Sequence, residues 1–186
     1  MIAPPENKIF ISPIGDLDLS LIGKVSKMIS QTFPYLTESI SLLQDIGFAL
    51  DPVRNQYYST MILEKLAILA PRQTIKLLAI CEVDLFIPIL THVYGEAQLG
   101  GKACIISTHR LNDDLPPISA KKVYYQRVIK EAIHELGHTF KLRHCPDKSC
   151  SMHYCRTIKD VDNKSAQFCR YCKILLEDEI KNTKRA

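Results

Sequence analysis

The chain has 186 residues, 24% of them charged and 46% in the hydrophobic set, proportions that exclude a disordered tail or a collagen-like fibre. No apolar run approaches the roughly 18 residues that a membrane-spanning helix needs, so no membrane partner is expected. The formal charge is +4, but residues 1–120 carry a net −3 and residues 121–186 a net +7, and five of seven Cys and four of six His also fall in that basic last third.

At about 150 residues per domain, a single compact unit is expected. Lys8 to Ile14 is a short apolar strand ended by Pro13 and Gly15. Asp18 to Phe33 places Leu21, Ile22, Val25, Met28, Ile29 and Phe33 at helical spacing. Ser39 to Leu43 is expected as a second strand, Leu50 to Thr60 as a polar, turn-rich loop, and Thr60 to Leu69 as a helix. Leu77 to Phe86 predicts one strongly apolar strand. Val93 to Leu99 alternates, and Gly100-Gly101 turns it into Ala103 to Ser107, a hairpin whose outer member is an edge strand. After Pro116-Pro117, Ser119 is a candidate N-cap for a helix of about twenty residues striped by Tyr125, Ile129, Ala132, Ile133, Leu136 and Phe140. Alternating strands and helices give an α/β fold, a sheet packed with helices. Beyond Phe140 the regular pattern fails. Residues 1–140 are therefore expected to form a sheet-and-helix lobe, and residues 141–186 a small Cys-rich lobe that relies on metal for its core.

The start of the chain, MIAPPENK then IFISPIG, has neither a basic n-region nor a long apolar core. Neither an export leader nor a removable inhibitory segment is expected, and the cytoplasm is the default location. Thiols there stay reduced, so clustered Cys and His point to metal rather than to disulfides.

The long helix carries His134-Glu135-Leu136-Gly137-His138. Residues four apart share a helix face, so both imidazoles can reach one ion, while Glu135, rotated by about 100°, points beside it, where it can take a proton from water. Zinc suits this donor set and makes water acidic. His144 is the candidate third ligand, with His153 or a downstream carboxylate as substitutes. A continuous helix would carry residue 144 to the wrong face, so the helix must end near Phe140 and the chain must turn back. Cys145, Cys150, Cys169 and Cys172, spaced x4, x18 and x2, suit a closed four-thiolate zinc site. Cys155 repeats the x4 gap and competes with that assignment. Cys81 and Cys104 sit in apolar strands as core residues, and His92, His109 and His153 are expected to be solvated or structural.

These residues resemble the archaemetzincin family within the metzincin clan of zinc proteases. The likeness runs through His144-Cys145, Cys150-Ser151-Met152 and Cys169-Arg170-Tyr171-Cys172, and upstream through Arg54–Ser59 and Gly95–Gly101. It implies a metzincin-like domain with a mixed twisted sheet and two zinc ions per chain. A catalytic zinc would be held by His134, His138 and His144, and a structural zinc by Cys145, Cys150, Cys169 and Cys172, leaving Cys155 spare. Met152 resembles the Met-turn residue beneath the catalytic metal, with ordinary core packing as the compatible alternative, and Tyr154 is not counted among the metal's neighbours. Where the metzincin pattern has Gly, this chain has Lys141, which must then adopt a left-handed conformation costing roughly 1–2 kcal/mol. The function implied is peptide-bond hydrolysis with Glu135 as general base, the peptide lying along Val93 to Leu99, in a monomer. The competing reading is a zinc-stabilised, non-catalytic module for peptide or nucleic acid, motivated by the +7 tail; too few aromatic residues interleave with the basic ones to favour nucleic acid.

Overall fold

The computed structural model describes residues 7–185; residues 1–6, on which the expectation of no leader partly rests, lie outside the described residues. The first strand, β1 (Lys8–Ile14), runs where its apolar pattern placed it. Helix α1 (Leu19–Thr32) follows, with the Asp18 carboxylate accepting from Ser20 N–H and Leu21, Ile22, Val25 and Ile29 buried.

Strand β2 is Leu36–Ser39 and not Ser39 to Leu43. It pairs in parallel with Lys8–Ile11 at the sheet edge, so its residues are mostly exposed and polar. Ile40 N–H still bonds the Ile11 carbonyl at 2.9 Å, but the chain then leaves the ladder, and Leu43 packs into the core instead. The expected loop at 50–60 contains two short strands, β3 (Leu50–Asp51) and β4 (Gln56–Tyr58), antiparallel to each other. They are too short for periodicity to detect. Helix α2 (Ser59–Leu69) follows. The single strand expected over Leu77 to Phe86 is two: β5 (Thr74–Cys81) and β6 (Leu85–Phe86), the latter pairing with β4 in a separate three-stranded sheet. The polar Glu82–Asp84 segment breaks the run, and Asp84 is held there by Arg110.

Strands β7 (Gly95–Ala97) and β8 (Ala103–Ser107) form the expected antiparallel pair. The main sheet has the order β2-β1-β5-β8-β7, with β7 at its edge and the other four strands parallel. Alternate residues face two cores. Ile9, Ile11, Leu78, Ile80, Cys104 and Ile106 join α1 and the long helix α3 (Ala120–Thr139) on one side. Phe10, Leu77, Ala79, Cys81 and Ile105 join α2 on the other. Both strand cysteines are thus core residues. Ser119 occupies the N-cap of α3, but its side chain makes no capping bond.

The C-terminal part holds more regular structure than its sequence suggested: α4 (Ile158–Asn163), opened by a Thr157–Asp160 capping box, and the sixteen-residue α5 (Arg170–Arg185). Cys172, Leu176 and Ile180 of α5 share the core that contains Phe33, Phe140 and Phe168.

Candidate metal centre and cleft

The site is built where α3 stops. Phe140 caps the helix and Lys141 takes φ +62°, the left-handed turn that its replacement of Gly demands. The N–H of Leu142 bonds the Gly137 carbonyl at 3.1 Å and that of Lys141 the His138 carbonyl at 2.9 Å, the paired bonds of a Schellman stop. Other contacts offset the cost of a non-glycine residue here. The Lys141 stem lies over Gly100, where an added Cβ would come within 2.8 Å of its Cγ, and Lys141 Nζ reaches Glu179 on α5 at 3.0 Å. Lys76 Nζ, buried beneath the turn, donates to the Thr139 carbonyl at 2.5 Å and the Gly101 carbonyl at 2.7 Å.

The reversal brings His144 back to His134 and His138. One ring nitrogen from each lies within 4.8 Å of the others. His134 Nδ1–H donates to the Ser151 carbonyl and His138 Nδ1–H to the Leu142 carbonyl, each at 2.7 Å. These bonds fix the tautomers and leave both Nε2 atoms as acceptors, only 3.1 Å apart. Two lone pairs that close repel unless a cation lies between them. Burial also holds the His134 ring far below the usual imidazole range and brings His138 down to about 4, so both stay neutral at physiological pH. Converging neutral imidazoles fit a divalent metal such as zinc. Tyr154 packs on His144, with ring centroids 4.8 Å apart, and Met152 lies buried beneath, against Gly137, where a Cβ would stand 2.5 Å from its Sδ.

Glu135 faces a cleft of about 980 Å³ lined by the segment from Ile87 to Leu99, by Glu131, His134 and His138 of α3, and by residues 143–144 and 154–156. Burial, with Glu131 nearby, raises its carboxyl well above the usual range. Gly95 of the edge strand lets the carboxylate come this close: a Cβ there would stand 2.7 Å from Glu135 Cγ and 2.8 Å from its Oε1. One turn earlier, Glu131 also lines the cleft and pairs with Lys164 Nζ at 2.8 Å, both side chains almost completely buried. Burial opposes the charge on Lys164, but Glu131 and its neighbours more than offset this and raise its pKa.

The sulfurs of Cys145, Cys150, Cys169 and Cys172 lie within 4.8 Å of one another, and Cys145 Sγ is 3.8 Å from Cys169 Sγ. That is too long for a disulfide, and it matches the roughly 3.8 Å edge of a tetrahedron with 2.3 Å zinc–sulfur bonds. Backbone amides of Cys169 and Cys172 point at Cys150 Sγ and Cys169 Sγ. Cys155 lies apart, lining the cleft, its thiol directed at the His153 carbonyl. The two clusters share one turn: the Ser151 carbonyl holds His134, and the Met152 carbonyl accepts from Cys145 N–H at 2.9 Å.

All eight residues singled out from the sequence therefore fall in this region, in two groups of metal donors with Glu135 beside the first. His153 bonds the Cys145 carbonyl, and His92 bonds Thr91. Sequence reasoning missed the contact of Gly95 with Glu135 and the Glu131–Lys164 pair. Glu131 could have been noticed at four residues before Glu135 on the same helix face, whereas nothing local marks Lys164.

Residues 49–178 match Peptidase family M54. The chain is 36% identical over 174 residues to an archaemetzincin of Methanocaldococcus jannaschii, covering 92% of this chain and 93% of that one. It superimposes on a crystal structure of archaemetzincin from Methanopyrus kandleri with TM-score 0.86 and 30% identity, covering 97% of this chain and 99% of that one. A zinc-dependent peptidase from Methanocorpusculum labreanum gives TM-score 0.80 at 26% identity, covering 90% and 99%.

Proposed function

The chain belongs to peptidase family M54, the archaemetzincins, and is a zinc metallopeptidase; from that premise we propose how its residues divide the work. This membership displaces the non-catalytic binding module. His134, His138 and His144 would hold the catalytic zinc, and Cys145, Cys150, Cys169 and Cys172 a second, structural one, leaving Cys155 outside both. Bound at the histidines, zinc supplies Lewis acidity toward a scissile carbonyl and toward water. Glu135, hemmed between α3 and Gly95, would take a proton from the attacking water and deliver it to the leaving amine. A cation at the histidines opposes the burial that raises its carboxyl and keeps it ionised for that role. The peptide adds to the free edge of β7 in extended form, which brings its backbone alongside that carboxylate. Residues 7–140 would form the sheet-and-helix lobe of one catalytic domain, and residues 141–185 supply the third histidine and the closed cluster.

The observation that carries this reading is the pair of Nε2 acceptors 3.1 Å apart, their tautomers fixed by carbonyls, next to a buried carboxylate at an open cleft. The test is the Glu135→Gln protein. It is expected to retain the zinc content of the parent and to lose about 10²- to 10⁴-fold in peptide hydrolysis. Cleavage at the parental rate would refute the assignment.

A further inference from the structure

The charged residues lining the cleft differ in how they are paired, and the difference bears on substrate choice. Three carboxylates line the cleft, and two of them are engaged within the protein. Glu131 is paired with Lys164. Glu96 is turned onto the first residues of α2, where the hydroxyls of Ser59 and Thr60 donate to it at 2.5 and 2.8 Å beside a helix N-terminus. Glu135 lies buried against Gly95. The stretch of lining formed by residues 143–144 and 154–156 carries Arg143 and Arg156, both exposed, and among the described residues neither guanidinium makes a hydrogen bond or an ion pair.

The two arginines flank His144. Arg143 is its chain neighbour, and Arg156 lies 5.8 Å from the ring centroid of Tyr154, which itself packs on His144. A guanidinium presents a planar fork of donors that matches a carboxylate. Resting on the peptidase reading, we propose that this stretch of lining selects peptides carrying a carboxylate close to the scissile bond, with Arg143 and Arg156 as the specificity-determining residues. That carboxylate can come from an acidic side chain or from a free C-terminus.

The test uses zinc-loaded Glu135→Gln protein and fluorescent peptides matched except for Glu, Gln or Lys at positions around the centre, each with a free or an amidated C-terminus. Fluorescence anisotropy reads binding, and kcat/KM of the parent protein on the same set reads turnover. Glu peptides should bind about three- to tenfold more tightly than Gln peptides at low salt, and the ratio should shrink as salt rises. Arg156→Gln and Arg143→Gln should each reduce it with zinc content unchanged; Arg156 is remote enough from the ligands to decide the matter if Arg143→Gln disturbs His144. An advantage confined to the free C-terminus also supports the proposal and identifies that source. Lys peptides binding as well as Glu peptides, or a preference that survives loss of both arginines, would overturn it. Cleavage without charge preference removes this proposal and leaves the peptidase reading standing. Arginine-dependent binding without any cleavage does the reverse.

Discussion

His144 and Cys145 are adjacent in the chain, yet they belong to clusters of opposite character. The histidine cluster opens onto the cleft, its third ring exposed, stacked on His134 and packed by Tyr154. The cysteine cluster is closed, with three of its four residues buried, its sulfurs facing one another and backbone amides directed at two of them. Donor chemistry alone does not separate a working site from a holding site, since both suit zinc. Access does, together with what stands beside the donors. Glu135 adjoins the first cluster. The turn at Ser151-Met152 is bonded to both clusters, the Ser151 carbonyl by His134 and the Met152 carbonyl by Cys145 N–H.

The largest expected effect comes from removing the group that distinguishes the open site. Glu135→Gln should abolish most turnover and leave the metal in place, as set out above. Opening the closed site comes next. Cys169→Ser should release one zinc per chain and, through the turn that holds His134, lower zinc occupancy at the histidines as well, read by metal analysis and thermal unfolding. Unchanged histidine-site zinc in that variant would separate the two clusters. Lys164→Met leaves Glu131 buried and unpaired beside the cleft, and should cost about 3–5 kcal/mol in denaturant unfolding.

Two smaller tests probe the helix end between the clusters. Lys141→Gly should relieve the left-handed strain but lose the stem packing and the Glu179 pair, for a net gain of about 0.5–1 kcal/mol, visible as a slightly raised Tm. Lys76 supplies a pH test. Burial lowers its folded pKa to about 8, against 10.5 for the free side chain. Between those values the unfolded chain binds more protons than the folded one, so this group's contribution to stability rises with pH across that window. Comparing unfolding free energies of the parent and Lys76→Met from pH 7.5 to 10.5 should show the parent gaining relative to the variant.

How much of this was legible in the sequence depended on the range of the interactions. The three histidines, Glu135 and the four cysteines stood out because their residue types and spacing are chemically specific. The stop at Phe140 followed from helix geometry, and the left-handed Lys141 followed from the missing glycine. Elements held by distant partners did not stand out. Strand β2 is polar because it is an edge, so the apolar residues after it drew the assignment away. The break in Leu77 to Phe86 depends on Arg110 holding Asp84. Helix α5 was hidden behind the Cys169–Cys172 pair at its start, and its Leu176 and Ile180 share a core with residues far back in the chain. The approach of Gly95 to Glu135 spans forty residues and exists only once β7 and α3 have packed together.

The central claim, one open and one closed zinc site in a single chain, is tested most directly by counting metal in the purified protein with elemental mass spectrometry. The account predicts two zinc ions per chain in the native protein. A folded, active protein with one zinc or none would contradict it.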